Sequence, residues 1–348
     1  MVMVKAFSYG SGSYEIANVL QFYHADYLAV AYADEGVELR KAGIRLPIMV
    51  MSPEEHSLDI LLKYNLEPEI YNFRILRLLE EAIARNQTSG QEAIRIHIKL
   101  DTGMHRLGFT ENELDELIRI LLDKSGIHIQ SVFSHLAASE DPSEEVFTRR
   151  QIRVFNEMSR KITSKFGYPI IRHILNSAGI SRFPDAQMDM VRLGIGLYGI
   201  GMDEEEQLQL RNVSTLKSVI TQIKHISAGD TIGYNRMGKA VKDKIIAIVP
   251  VGYADGLNRR LGNGRGSLYI HGEPAPIIGN ICMDLTMIDI TDLSSSVTAQ
   301  PVSAREGDEV IIFGEKHPVT ELSRQLDTIP YEILTGISRR VKRIYYYE

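Results

Sequence analysis

Apolar positions in roughly the first two hundred residues follow two alternating spacings. Short runs in which nearly every position is apolar are typical of strands in a parallel sheet, whereas apolar residues three or four apart indicate helices. Alternation of these two patterns predicts an α/β protein with a (β/α)8 TIM-type barrel. The predicted strands are 1–4, 27–31, 46–51, 93–100, 127–134, 169–176 and 188–195, and the predicted helices are 58–64, 72–86, 111–123 and 144–166.

The pattern changes after an acidic stretch at 201–206, which we interpret as a linker. Beyond it, β-branched runs separated by Gly, Asn and Pro predict strands within 213–225, 244–251, 267–270, 276–289 and 309–313. A helix is predicted within 328–343, beginning near Pro330. The sequence therefore predicts two domains, a barrel at 1–206 and a mainly β domain at 207–348.

Charge and composition argue against several classes of function. A net charge of -6 and a pI near 6.0 give no basic face of the kind that binds nucleic acid. The single cysteine, Cys282, leaves no disulfide framework, and the His and acidic residues lack ligand spacing, so we expect no metal. No apolar stretch approaches the roughly 18 residues of a membrane span, and no secretion signal is recognisable, so we expect a cytoplasmic protein.

Several predicted strands end in side chains that could carry chemistry. In TIM-type barrels the active site lies at the carboxyl ends of the strands, where Lys5, Asp101, His135 and Asn176 stand here. Burial favours the neutral form of an amine, and a neutral amine can form a Schiff base with a carbonyl cofactor. Lys5 is therefore a candidate Schiff-base lysine. The alternative is a strand-end lysine that reaches solvent.

Residues 194–199, with the sequence GIGLYG, match the pattern G-x-G-x-x-G. A dinucleotide site is poorly supported, because the segment follows a βα array instead of opening a βαβ unit. A loop whose backbone N–H groups hold a single phosphate fits better. A plain tight turn remains a third interpretation.

The other candidate residues each have a structural alternative. Arg106 could bind a carboxylate through two nitrogens or could simply be solvated. A strand-end histidine such as His135 or His173 is more often a structural donor than a catalyst. The pair Asn176 and Ser177 is first of all a helix cap, although its groups would also suit a phosphate.

Tyr253 lies in the segment VGYADG of the second predicted domain. A tyrosine that acts as a base needs a nearby positive charge, since its unperturbed pKa is about 10. No residue of the hexapeptide carries that charge, so a partner would have to come from elsewhere in the fold. The alternative is a turn tyrosine packed at the surface.

Eight short motifs occur in order along the chain, and together they closely resemble the alanine racemase family. Members of this family are pyridoxal-phosphate enzymes of bacterial cell-wall synthesis, and the resemblance covers essentially the whole chain. The motifs are KAFSYGSG at 5–12, KLDTGMHRLG at 99–108, SHLA at 134–137, HILNSA at 173–178, VRLGIGLYG at 191–199, GYADG at 252–256, ICMD at 281–284 and GISRRVKRIY at 336–345.

The resemblance implies a homodimer that interconverts L-alanine and D-alanine and supplies D-alanine for peptidoglycan. Lys5 would hold pyridoxal phosphate through an imine and act as one base, and the partner subunit's Tyr253 would act as the second. Arg192 would face the pyridine nitrogen and, because an arginine keeps its proton, would leave that nitrogen unprotonated and suppress transamination. The other cofactor-binding positions would be Tyr9, His135, Asn176, Ser177, Gly194, Ile195 and Tyr345.

The resemblance also implies a site for the substrate carboxylate. Arg106 and a backbone N–H of the partner subunit's Met283 would bind it. Supporting roles would fall to Lys99 (carbamylated in many relatives), His173 and Asp284. Four positions differ from the usual pattern: Ser11, His105, Asn280 and Lys342. His105 is next to Arg106 and Asn280 is near Met283, so these two bear on carboxylate affinity.

Other functions remain open at this stage. A decarboxylase of the same fold would be expected to carry an acid where this chain has Arg192. Another amino-acid racemase and an inactive truncated racemase domain are further alternatives. A non-catalytic carrier of the cofactor would lack the second domain. Family members usually have a segment before the lysine strand, so this chain could also be part of a longer polypeptide, such as one fused behind a cell-wall ligase.

Overall fold

The computed structural model describes residues 1–86, 92–293 and 303–346. The chain forms two compact units, one comprising Met1–Leu197 and Gly201–Gln209 and the other Tyr198–Ile200 and Leu210–Glu348. Residues predicted as an acidic linker enter helix α9 (Glu204–Gln209), whose first turn holds three glutamates. Acidic residues suit the positive end of a helix dipole, which explains the helix there. No helix in the described ranges is long and apolar enough to span a membrane.

Seven parallel strands form the sheet of the first unit. Each strand pairs with the next along the chain, as expected when successive βα units wind in one direction. The predicted strands at 27–31, 46–51, 93–100, 127–134 and 169–176 are confirmed, but each is shorter than predicted, and only 171–173 of the last segment is a strand. The strands are β1 (Val2–Met3), β2 (Leu28–Val30), β3 (Ile48–Val50), β4 (Glu67–Ile70), β5 (Ile94–Lys99), β6 (Ile127–Phe133) and β7 (Ile171–His173).

The eighth position of the barrel holds a single backbone bridge, where the sequence predicted a strand at 188–195. Val2 and Leu193 form this parallel bridge. The Leu193 N–H donates to the Met1 carbonyl at 3.0 Å, and on the other side the Arg192 N–H donates to the Leu175 carbonyl at 3.1 Å. The segment therefore closes the barrel between β7 and β1. It also fixes the backbone of Arg192 from both sides.

The remaining elements of the first unit are helices that alternate with the strands. The predictions at 58–64, 72–86, 111–123 and 144–166 are confirmed, while α2, α3 and α8 were not predicted. Leu79 and Phe155 on two of the helices are fully buried in one cluster with Leu28 and Val132 on the strands. Each such side chain contributes about 1.5–3 kcal/mol to folding. The helices are α2 (Ser13–Phe22), α3 (Ala33–Lys41), α4 (Leu58–Lys63), α5 (Phe73–Asn86), α6 (Leu114–Leu122), α7 (Glu145–Thr163) and α8 (Ser177–Arg182).

Strand β4 was missed by the sequence prediction because its sequence is Glu-Pro-Glu-Ile. Strands of a parallel sheet are usually near-continuous apolar runs, and this one places two acids inside the protein. Glu67 is 5% exposed and Glu69 is 2% exposed. Buried carboxylates are rare unless they are paired, so both require partners in the barrel interior.

The segment after β1 is a left-handed helical turn, α1 (Lys5–Tyr9). Ala6, Phe7 and Ser8 have φ values of 52°, 56° and 49°. Such a conformation costs roughly 1–2 kcal/mol per non-glycine residue. Anchoring offsets this cost, since the Glu35 carboxylate accepts hydrogen bonds from the backbone N–H groups of Ala6 at 2.6 Å and Ala31 at 2.7 Å. The strained turn thus ties Lys5 to the end of the neighbouring strand.

The second unit is mainly antiparallel β structure. Its strands form sheets in the orders β15-β12-β9, β14-β13-β16-β8 and β10-β11. Helix α10 (Val319–Leu326) was not predicted. The strands are β8 (Leu216–Val219), β9 (Gln222–Ile226), β10 (Thr231–Ile232), β11 (Gly238–Lys239), β12 (Lys244–Val249), β13 (Ser267–Ile270), β14 (Glu273–Pro276), β15 (Thr286–Asp289) and β16 (Glu309–Phe313).

Two predictions for the second unit are wrong in extent. The segment predicted as a strand at 276–289 contains the last residue of β14, a loop and the whole of β15. The helix predicted at 328–343 is only α11 (Pro330–Thr335), which begins at the predicted proline and stops before Gly336. Glycine disfavours helix continuation, and the Ser338 N–H donates to the Asp255 carbonyl at 3.1 Å instead of to a helical partner.

Candidate active site

Lys5 lies two residues beyond the end of β1, as the first residue of the left-handed turn. Burial lowers the pKa of its amine, and the positive charge of Arg106 lowers it further. Glu35 and Glu69 oppose these effects. The environment therefore shifts the amine toward its neutral, nucleophilic form, which a Schiff-base lysine needs, and Lys5 stays a candidate for that role.

Arg192 is almost completely enclosed, at 2% exposure. Its Nη1 donates to Nδ1 of His173 at 2.7 Å, and its Nη2 donates to the carbonyls of Ser134 at 2.7 Å and Ile174 at 2.9 Å. Burial lowers its pKa to about 10, although Glu69 opposes that shift. The guanidinium is still charged at neutral pH.

The two histidines around Arg192 are neutral acceptors. Burial, followed by the charge of Arg192, lowers the pKa of both His135 and His173 well below its usual value. His135 Nδ1 lies 3.2 Å from Nη2 of Arg192. A guanidinium has no acceptor, so the contacting nitrogen of each ring carries no proton. Both residues belong to the predicted set, and their geometry makes them partners of Arg192.

A buried carboxylate that the sequence analysis missed faces these cations. Glu69 pairs with His97 in the β4–β5 register, so Glu69 and Lys99, two residues beyond His97, point to the same face of the sheet. Burial raises the pKa of Glu69 and lowers that of Lys99, and each charge offsets part of the other's shift. Lys99 Nζ also lies 4.2 Å from the centre of the Phe133 ring. The sequence signal was a pair of acids at alternate positions before Ile70.

Two of the predicted phosphate-binding residues, Tyr9 and Ser177, lie beside a third, Gly194. A Cβ at this position would lie 3.3 Å from the Tyr9 hydroxyl oxygen and 3.5 Å from Oγ of Ser177. Oγ of Ser177 accepts the Gly194 N–H at 2.8 Å. The absent side chain therefore leaves a small cradle lined by two hydroxyl groups, with Ile195 beside it. Asn176 instead caps α8, since its side-chain oxygen accepts the Gly179 N–H at 3.0 Å.

The loop that carries Arg106 is organised by Asp101. Its Oδ1 accepts the N–H groups of Gly103 and His105, both at 3.0 Å, and its Oδ2 lies 3.0 Å from Nδ1 of His105. Gly108 closes the loop with φ +128°, where a Cβ would lie 2.6 Å from the Asp101 nitrogen. His105, one of the unusual positions, therefore helps hold the loop, while the Arg106 side chain is exposed.

Tyr253 and Met283, far apart in sequence, are brought together in the second unit. The Tyr253 N–H donates to the Cys282 carbonyl and the Ala254 N–H to the Met283 carbonyl, both at 3.0 Å. A Cβ at Gly252 would lie only 2.3 Å from the Met283 carbonyl oxygen, so glycine is required at this approach. Tyr253 is 43% exposed and Met283 is 52% exposed.

Arg340, which the sequence analysis did not single out, joins the two segments. Its Nε donates to Asp255 at 2.7 Å, and its Nη2 lies 2.8 Å from Asp284. Asp284, for which a supporting role was predicted, is thus paired with Arg340 of the C-terminal motif. Arg259 places its guanidinium carbon 5.9 Å from the centre of the Tyr253 ring, a positive charge that the local sequence of Tyr253 lacks.

The predicted residues fall into two groups, one in each unit. The first unit holds Lys5, Tyr9, Lys99, Arg106, His135, His173, Asn176, Ser177, Arg192, Gly194 and Ile195, and the second holds Tyr253, Met283, Asp284 and Tyr345.

Comparison with known proteins shows the family of this chain. Residues 1–201 match the profile described as alanine racemase, N-terminal domain, and residues 213–345 match that of its C-terminal domain. The chain belongs to the alanine racemase family. It is 39% identical to alanine racemase 1 of Clostridium acetobutylicum, over 99% of this chain and 88% of that protein.

Solved structures of alanine racemases share this fold. An alanine racemase of Clostridium difficile 630 matches with a TM-score of 0.89 and 34% identity, over 99% of this chain and 88% of that one. The alanine racemase of Bartonella henselae, described with covalently bound pyridoxal phosphate, matches with a TM-score of 0.85 and 28% identity, over 99% and 92% of the two chains.

Pyridoxal phosphate is the cofactor of this family, and the residues of the first unit fit it. Lys5 offers an amine whose pKa is lowered. The cradle at Gly194 offers hydroxyl groups for a phosphate. Arg192 offers a fixed cation within the barrel. These features match the carbonyl, phosphate and ring nitrogen of the cofactor.

Glu69→Gln should make Lys99 easier to carbamylate. Loss of a neighbouring carboxylate lowers a lysine pKa by about 1–3 units, so more of the amine is neutral and able to attack carbon dioxide, releasing a proton. Carbon-13 NMR in labelled bicarbonate measures the carbamate, which we expect to be more abundant in the variant. Lys99→Arg, which removes the acceptor amine, assigns the signal. Equal occupancy in the variant and the unchanged protein would show that Glu69 is not the counter-charge of Lys99.

Proposed function

We propose that this chain interconverts L-alanine and D-alanine with pyridoxal phosphate, using Lys5 and Tyr253 as the two bases. The observation that carries the proposal is the position of Lys5, an amine of lowered pKa in a strained turn whose Tyr9 reaches the cradle at Gly194. The family relationship supports the same reaction. Its product, D-alanine, serves peptidoglycan synthesis.

Lys5 would hold the cofactor through its Nζ, and Arg192 would face the ring nitrogen. When bound, pyridoxal phosphate withdraws electrons from the substrate Cα and makes its proton acidic. The phosphate would lie against the hydroxyl groups of Tyr9 and Ser177 and the loop at Gly194 and Ile195. Tyr345, at the end of the C-terminal motif, would complete the phosphate site.

Arg192 favours racemisation over the alternative reactions of this fold. Its Nη1 and Nη2 groups donate to carbonyls and to neutral histidine nitrogens, and an arginine side chain keeps its proton. An arginine that does not release a proton leaves the ring nitrogen unprotonated and limits electron withdrawal. A decarboxylase or a transaminating enzyme would be expected to need an acid at this place. The buried contacts of Arg192 therefore argue for a racemase.

The two bases would act from opposite faces of Cα. Nζ of Lys5 would take or return the proton on one face, and the phenol oxygen of the partner subunit's Tyr253 would serve the other. Arg106 and the backbone N–H of the partner subunit's Met283 would hold the substrate carboxylate. A shared site of this kind makes the active form a homodimer, which we propose to be cytoplasmic.

Tyr253→Phe should separate the two proton transfers. We expect racemisation to fall about 10²–10⁴-fold, the usual contribution of a positioned acid or base, while the cofactor stays bound. In deuterated water the variant should still exchange the α-proton of D-alanine, which Lys5 handles, faster than that of L-alanine. Tyr23→Phe, an exposed tyrosine of the first unit, is the matched control. Equal loss of both exchanges would refute the assignment of one base to each face.

Mixing two inactive variants tests whether the site is shared. After subunit exchange between Lys5→Ala and Tyr253→Phe, each heterodimer should contain one site with both bases and one with neither. Equal mixing should then restore about a quarter of the sites, given random pairing of subunits in a two-fold dimer. Lys5→Ala mixed with the double variant should stay inactive. No recovery after verified exchange would place both bases on one subunit.

A further inference from the structure

A row of polar side chains crosses the barrel interior beneath Arg192. It comprises Glu67 on β4, His97 on β5, Ser131 on β6 and His173 at the end of β7. These strands are consecutive neighbours in the sheet. Glu67 is 5% exposed and the other three are fully buried. Barrel interiors are normally filled with branched apolar side chains, so a polar row of this length needs a reason.

The row is one continuous chain of hydrogen bonds. Nε2 of His173 lies 2.9 Å from Oγ of Ser131, and that oxygen lies 2.7 Å from Nδ1 of His97. Nε2 of His97 lies 2.9 Å from Oε2 of Glu67. At the other end, Nη1 of Arg192 lies 2.7 Å from Nδ1 of His173. The chain therefore connects the guanidinium to a carboxylate across four strands.

The direction of each bond follows from its two ends. Arg192 can only donate, so Nδ1 of His173 accepts and its single proton lies on Nε2. That proton is donated to Ser131, whose own hydroxyl proton is then free to go to Nδ1 of His97. His97 consequently carries a proton on Nε2 and donates it to the Glu67 carboxylate. Every member is satisfied in this direction.

The opposite direction fails at Arg192. If Ser131 donated to Nε2 of His173, the proton of a neutral His173 would move to Nδ1 and point at a guanidinium N–H. Two donors would then face each other in a buried site, and an unsatisfied buried donor costs about 1–3 kcal/mol. Glu67 anchors the far end as an acceptor, with Nη1 of Arg95 3.8 Å from its other oxygen. The donor at one end, Arg192, and the acceptor at the other, Glu67, therefore require the same arrangement of protons along the row.

We propose that Glu67, His97 and Ser131 are positioning residues that fix the Nε2–H tautomer of His173 and so hold Arg192 in place as a donor toward the cofactor ring nitrogen. The inference rests on the proposed function, and it adds three residues of the barrel interior to those that serve the proposed reaction. None of them touches the reacting atoms. They act on Arg192 indirectly, by keeping Nδ1 of His173 unprotonated so that it accepts a hydrogen bond from the guanidinium.

Ser131→Ala breaks the row at its middle and tests the proposal. Nitrogen-15 NMR of histidine-labelled protein, without and with pyridoxal phosphate, reports the tautomer of His173, with His173→Gln assigning the signal. We expect the Nε2–H form in the unchanged protein and a mixture with the Nδ1–H form in Ser131→Ala. Ser159→Ala, which removes another fully buried hydroxyl, from α7, should leave the tautomer unchanged.

The second readout is the partition between reactions. In Ser131→Ala we expect the ratio of transamination to racemisation, measured as cofactor converted to its amine form per turnover, to rise about 10-fold. This factor corresponds to about 1.4 kcal/mol, near the lower end of the cost of an unsatisfied buried donor. Ser159→Ala should keep the original ratio. If either the tautomer or the ratio is unchanged in Ser131→Ala, the proposal is overturned. Ser131→Cys, which is close in size, provides the same test if the alanine variant does not fold.

The two proposals can fail separately. Absence of racemisation by the unchanged protein would refute the proposed function, whereas the tautomer of His173 in the cofactor-free protein does not depend on any activity. An Nδ1–H tautomer in the unchanged protein would overturn the positioning role directly.

Discussion

The buried guanidinium of Arg192 is the constraint on which the rest of the site depends. Removing such a cation from water costs several kcal/mol, and it persists only if its surroundings accept hydrogen bonds and supply negative charge. The barrel meets this need with backbone carbonyls, with unprotonated nitrogens of His135 and His173, and with the carboxylate of Glu69. Because a guanidinium only donates, the protonation of each neighbour is set by its presence.

The positive charge of Arg192 also acts on Lys5, the lysine that we propose as the catalytic one. Lys5 loses solvation on burial and faces Arg106 and Arg192, so its amine gives up a proton more readily than a lysine in water. The position of Lys5 is fixed separately, by the left-handed turn that Glu35 anchors at the end of β2. Charge thus lowers the pKa of Lys5, and the strained turn fixes its position. Strain of this kind is maintained only where the surrounding fold compensates for it.

Much of the fold could be predicted because its strands are apolar runs between amphipathic helices. The strand prediction failed at two places. Strand β4 carries Glu67 and Glu69 inside the barrel and so lacks an apolar run, and the eighth position is a bridge at Leu193 instead of a strand. Site residues could be named from their motifs, yet their partners could not. The contact of Arg340 with Asp255 and Asp284 joins distant segments, and no local spacing encodes it.

The central claim is that Lys5, and not Lys99, is the residue that bears the cofactor. Lys99 is buried and Lys5 is partly buried, and both have lowered pKa values, so low basicity alone does not distinguish them. Lys5 differs in its place beside Tyr9 in the strained turn, whereas Lys99 faces Glu69 and the Phe133 ring. Borohydride reduction of the protein loaded with pyridoxal phosphate, followed by peptide mapping, tests this claim most directly. The account predicts label on Lys5, and label on Lys99 would contradict it.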